Sequence, residues 1–128
     1  MTVPTDLLYT EDHEWVRIGD DEIAIVGITH FAQDQLGAIV FVELPDEGDE
    51  VSQNDPVGQV ESTKSVSDIF APVSGTIIEI NRALNDAPEL INTDPYEDGW
   101  ILKLKLEDPD EKDELMRPEE YQDHVGDE

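Results

Sequence analysis

Val57-Gly58-Gln59-Val60-Glu61-Ser62-Thr63-Lys64-Ser65-Val66-Ser67-Asp68-Ile69-Phe70-Ala71 reads as two short strands, 57–62 and 66–71, hinged at Thr63-Lys64-Ser65. The hinge contains no Gly, Pro, Asn or Asp, the residues that let tight hairpins close easily. It does contain Lys64, the only lysine in the first 102 residues. A turn lysine is ordinarily just a solvated side chain. Here the chain avoids lysine elsewhere, and a strand–turn–strand would hold the base of the side chain rigid while exposing its amine. That setting suits a swinging arm.

Outward from the hinge the chain continues in short strands. Segments 14–18 and 22–28 flank Gly19-Asp20-Asp21, a turn signal. Thr29 offers an N-cap oxygen and Gly37 a C-cap, which predicts one short helix over 30–36. Segment 38–44 reads as a strand of the buried type, stopped by Pro45-Asp46-Glu47-Gly48. Pro72-Val73-Ser74-Gly75 turns the chain into a strand over 76–80, which makes Gly75 a turn glycine. Segment 100–106 alternates, with Leu102, Leu104 and Leu106 opposite Lys103 and Lys105. Pro118, Glu119 and Glu120 make a good first helical turn, so a terminal helix is expected over 118–124, followed by a frayed tail. Together these predict a mostly β fold, an antiparallel β-sandwich or flattened barrel with short helices, including one at the C-terminus. A faint repeat supports this. Gly37-x-Ile39 recurs as Gly75-x-Ile77 and Asp55-Pro56 as Asp94-Pro95, on either side of the hinge, as in a two-fold pseudo-symmetric sandwich.

The 128 residues suit one domain over 1–128, with an acidic helical segment at about 107–128 that holds eleven acids. With no cysteine there is no disulfide framework and no thiolate chemistry. The first residues lack the basic start and apolar stretch of a secretory signal, and the longest apolar run is far too short to span a membrane, so the expected location is cytoplasmic. Thirty-three acids against seven bases give a net charge of −26, which disfavours nucleic acid and anionic lipid as partners. A carboxylate-rich surface of this kind suits a salt-rich cytoplasm, where screening shortens to about 3 Å at molar salt. His13, His30 and His124 show no metal-ligand spacing, and Pro95 spoils a calcium-loop reading of the acidic stretch 94–99.

Glu61-Ser62-Thr63-Lys64-Ser65-Val66-Ser67-Asp68, followed by Ile69-Phe70-Ala71-Pro72-Val73-Ser74-Gly75, resembles the lipoylation hairpin of glycine cleavage system H proteins. His13-Glu14-Trp15, Gly27-Ile28-Thr29, Phe41-Val42-Glu43-Leu44-Pro45 and Pro95-Tyr96-Glu97-Asp98-Gly99-Trp100 resemble that family's signatures in its order. The resemblance implies a fold of the biotinyl/lipoyl-carrier type, with lipoate joined as an amide to Lys64. It implies a monomeric, non-catalytic carrier. Such a carrier takes an aminomethyl group from a pyridoxal-phosphate glycine decarboxylase to a tetrahydrofolate-dependent aminomethyltransferase, and electrons to dihydrolipoamide dehydrogenase. It also implies a lipoate-attaching enzyme that uses Glu61 and Gly75, and a cleft for the loaded arm lined by Glu14 and Asp68. Asp12 departs from the small polar residue frequent in the family at that position.

Other readings compete. A biotin carrier typically sets its lysine between methionines, whereas Thr63 and Ser65 flank Lys64. A lipoyl domain of a 2-oxo acid dehydrogenase would be shorter, with Asp before its lysine. A relay that donates lipoyl or octanoyl groups to other lipoyl domains stays open, as does an acidic binding module whose Lys64 is never modified.

Overall fold

The structure, a computed structural model, describes residues 4–19 and 21–125. Asp20 of the first turn signal and residues 126–128 of the expected tail lie outside the described residues. Strands β1 (Leu8–Tyr9), β2 (Glu14–Ile18), β3 (Ile23–Ile28), β5 (Glu50–Val51), β8 (Gly75–Ile80) and β9 (Leu102–Leu106) form one antiparallel sheet in the order β1-β2-β3-β9-β8-β5. Strands β4 (Ile39–Glu43), β6 (Pro56–Ser62) and β7 (Val66–Phe70) form the second, in the order β4-β6-β7. Alternating residues of the two sheets face each other. Val16, Ala24, Val26, Ile77, Leu102 and Leu104 from the larger sheet meet Ile39, Val42, Val60 and Ile69 from the smaller in one buried core.

Helix α1 (His30–Leu36) has the caps expected of it. The Thr29 hydroxyl accepts from the Ala32 amide, and Gly37 ends the helix at φ +86°, where a side chain would be strained. Helices α2 (Ala83–Asp86) and α3 (Leu90–Thr93), together with β1 and β5, are two to four residues long. None is foreseen by the sequence, because such lengths carry no periodicity. A 3-10 turn over Pro109–Glu114 leads to α4 (Pro118–Val125). The repeat finds a partial counterpart: Gly37 precedes β4 and Gly75 opens β8, and these pair with β6 and β9 in opposite sheets. Asp55-Pro56 leads into β6, whereas Asp94-Pro95 falls in a turn after α3. No helix among the described residues is long and apolar enough to cross a membrane.

Two expectations need correction. Strand β4 is not buried on both faces: Val40 and Phe41 are 48% and 55% exposed. A register shift between Ile39 and Phe41 makes Val40 an extra residue, and among the described residues no layer covers the outer face of the three-stranded sheet. Gly75 is not a turn residue but the first residue of β8, buried and paired with Val51 on one side and Leu106 on the other.

The quoted motifs meet in a second apolar cluster. Trp15 lies opposite Gly27 in the β2–β3 pairing, and a Cβ at Gly27 would stand 2.7 Å from the indole. The indole N–H donates to the Pro95 carbonyl at 2.9 Å. Tyr9 and Tyr121 stack beside it with ring centroids 4.5 Å apart, which holds α4 against the sheet.

Candidate functional site

The Lys64 hairpin closes without the usual turn residues because Ser62 substitutes for them. Its buried hydroxyl oxygen accepts from the Lys64 amide at 3.2 Å and the Ser65 amide at 3.0 Å, while the Ser62 amide donates to the Ser65 carbonyl at 2.8 Å. The Thr63 amide donates to the Ala38 carbonyl at 3.1 Å, which pins the tip to the loop leaving α1. The backbone at Lys64 is therefore fixed while its side chain is exposed.

The Lys64 stem passes over Gly37. A Cβ at Gly37 would lie 3.4 Å from Lys64 Cε and 3.9 Å from Nζ, so the bare glycine leaves room beside the stem. Asn92 on α3 supports that platform from below. Its amide nitrogen donates to Gly37 O and Gln33 Oε1, both at 2.9 Å, and its amide oxygen accepts from the Ile39 amide at 2.8 Å. Asn92 is thus bonded to the end of α1 and to the start of β4. The sequence reading missed it; an asparagine directly after the apolar pair Leu90-Ile91 was the available signal.

The other candidate residues occupy different places. Glu61 is exposed on β6, opposite Phe41 and Val66. Asp68 is exposed on β7, accepts from Gln59 Nε2 at 3.0 Å, and lines a groove with Glu43 and Gln59. Glu14 is 1% exposed, with both carboxylate oxygens engaged: Oε1 accepts from the Thr10 hydroxyl at 3.0 Å and Oε2 from the Phe70 amide at 2.8 Å. Burial pushes its pKa up to about 7, opposed by those two hydrogen bonds and aided by the Asp12 charge. As it stands, Glu14 is a buried link between sheets with one protein donor on each carboxylate oxygen. Gly75 serves the β8–β9 pairing, since a Cβ there would overlap the Lys105 carbonyl.

The histidines have local partners. His13 sits at φ +67° and shares a 3.0 Å hydrogen bond with the Tyr121 hydroxyl, which also bonds Thr29 Oγ1 at 2.7 Å. His30 pairs with Gln33, and His124 with the Glu11 carbonyl. Burial and the nearby His124 hold the His13 pKa below its ordinary value.

An acyl group on the Lys64 amine fits this arrangement. The nitrogen is exposed, the backbone beneath it is braced, and the stem lies over a residue without a side chain.

Comparison with known proteins bears on the family and the fold. The family model described as glycine cleavage H-protein matches residues 7–128. The chain is 54% identical over 123 residues to a probable glycine cleavage system H protein of Haloarcula marismortui, covering 96% of both chains. It is 54% identical over 127 residues to the glycine cleavage system H protein of Prosthecochloris aestuarii, covering 98% of this chain and 99% of the relative. The crystal structure of a glycine cleavage system H protein from Mycobacterium marinum superposes with a TM-score of 0.87 at 42% identity, covering 97% of this chain and 99% of that one.

Proposed function

This chain belongs to the glycine cleavage H-protein family, and on that premise we propose that Lys64 is the residue that bears its lipoyl group. The protein is a non-catalytic lipoyl carrier of the glycine cleavage system. Attached lipoate supplies a disulfide that exchanges a one-carbon amine and two electrons, chemistry that no side chain of this protein provides.

The observation that carries the assignment is the pairing of an exposed Lys64 amine with a backbone locked by Ser62 and Ala38. Lys64 acts as nucleophile once, when its nitrogen bonds the carbonyl carbon of an activated lipoyl or octanoyl group, loses a proton and displaces the activating group. Afterwards its stem is a tether. Its partners on this reading are the glycine decarboxylase, the aminomethyltransferase, dihydrolipoamide dehydrogenase and the lipoate-attaching enzyme. Glu61 is a recognition residue for the last, and its exposure beside the hairpin supports that role. Any contribution of Gly75 to recognition runs through the strand pairing it permits. Of the two carboxylates assigned to the arm, Asp68 is the exposed one, and Glu14 positions the hairpin through Phe70. We take residues 1–128 as one carrier domain, supported by the burial of Leu115 and Tyr121 from the acidic segment against the rest.

Intact-mass analysis and peptide mapping of protein from lipoate-replete cells test the assignment. One lipoyl amide is expected, on Lys64. Lys64→Arg should melt like the parent and carry none. An adduct on Lys103, Lys105 or Lys112, or no adduct, overturns the reading.

A further inference from the structure

Helix α4 reaches helix α1 through a single side chain. Tyr121 is buried and stacked on Tyr9, and its hydroxyl bonds Thr29 Oγ1 at 2.7 Å and His13 Nδ1 at 3.0 Å. Thr29 is the N-cap of α1, and the same Oγ1 accepts from the Ala32 amide. The C-terminal helix therefore bears on the cap of the helix whose other end, Gly37, lies beside the Lys64 stem. His13 sits at the centre of this junction, in a left-handed conformation (φ +67°) uncommon for a residue with a side chain. Its ring lies 4.7 Å from that of Phe31 on α1, and 5.7 and 5.6 Å from those of Tyr121 and His124 on α4, measured between centroids. His124 stands one turn after Tyr121, with its Nε2 3.3 Å from the Glu11 carbonyl. The chain carries 33 acids, yet among the described residues neither imidazole forms an ion pair with a carboxylate.

We propose that His13 and His124 make α4 a pH-operated latch on α1, closed while both imidazoles are neutral and released when they charge. Release takes Tyr121 away from Thr29, so acid frees the N-terminus of α1 and loosens the platform beside Lys64 while the sheets stay folded. The inference goes beyond the carrier assignment and holds whether or not Lys64 is acylated. Two imidazolium rings at this spacing repel, and burial strips water from the one at position 13. The other groups around His13 do not cancel this. Phe31 brings no charge from α1, and the Tyr121 hydroxyl, its pKa pushed up to about 12, stays protonated. Glu14, next in the chain, is spent on Thr10 and Phe70. Asp12 favours the charged imidazole, but burial and His124 outweigh it and hold the His13 pKa below its ordinary 6.5. A depressed folded pKa contributes stability that is present above the unfolded value and lost as pH falls through the folded one. The latch therefore opens on acidification, the opposite sense to the titration of Glu14.

The test is amide hydrogen exchange on the full chain at about pH 7.5 and about pH 5, either side of the imidazole range, read as protection factors. Wild type is compared with His13→Asn, since asparagine tolerates the left-handed backbone, and with His124→Gln at an exposed position that leaves the fold intact. Wild type should lose at least about threefold in protection over α4 and at the Ala32 amide, the effect of two unit charges at this spacing in water, while β9 holds. His13→Asn should show no such loss, and His124→Gln a smaller one than wild type. An equal loss at β9, which is general acid unfolding, overturns the proposal. So does protection of α4 that ignores pH, a loss in α4 that leaves Ala32 unchanged, or a wild-type response in His13→Asn.

Discussion

The Phe70 amide donates to Glu14 at 2.8 Å, joining the end of the lysine hairpin to the first residue of β2 in the other sheet. The bond makes a buried acid part of the hairpin's foundation. Burial of that acid gives the fold a pH dependence, which the bond opposes without reversing its sign.

The folded Glu14 carboxyl holds its proton up to about pH 7, against 4.5 for the free side chain. A raised folded pKa contributes stability that is fully present below the unfolded value and lost as pH rises through the folded one. Glu14→Gln removes that titration. The variant should match wild type near pH 4 and exceed it by about 1–3 kcal/mol at pH 8. Denaturant unfolding at the two pH values, in high salt, checks the expectation; equal pH profiles for both proteins would refute it.

Ser62→Ala deletes the oxygen that closes the hairpin and leaves the Lys64 and Ser65 amides without their acceptor. The cost should be about 1–2 kcal/mol. Hydrogen exchange at those two amides should accelerate by more than at β9. Uniform acceleration across the molecule would count against a local role.

Asn92→Ala should cost more, about 2–3 kcal/mol, because the buried Ile39 amide loses its acceptor and Gly37 O and Gln33 lose their donor. Asn92→Asp keeps the bond to Ile39 but cannot donate to Gly37 O. Both variants should loosen the Ala38–Thr63 contact, read as faster exchange of the Thr63 amide and slower lipoylation. A stability loss with unchanged lipoylation would show that the platform does not matter to Lys64.

Among the described residues only three ion pairs form, Arg17–Glu97, Arg82–Glu47 and Lys103–Glu79. Most of the 33 acids therefore repel one another without compensation. The melting temperature should climb from dilute buffer to molar KCl, where the screening length falls to about 3 Å. A flat profile would contradict this account of the acidity.

The sequence by itself determined the elements whose signals are local. Helix α1 is legible because Thr29 and Gly37 bracket it, and β9 because its leucines and lysines alternate. The hairpin around Lys64 is legible because one lysine interrupts two strands in a chain otherwise poor in lysine. Tertiary structure alone decided what covers each face. Phe41 reads as a core residue, yet among the described residues no layer packs over the small sheet, whereas Glu14 reads as one surface acid among 33 and is sealed between Thr10 and Phe70. Strands β1 and β5, two residues each, exist only through the hydrogen bonds of a neighbouring strand. Asn92 acquires its role from groups 53 to 59 residues away in the chain. Periodicity reports how a segment repeats. Burial and hydrogen-bond partners depend on which distant segment arrives beside it, and no local pattern carries that information.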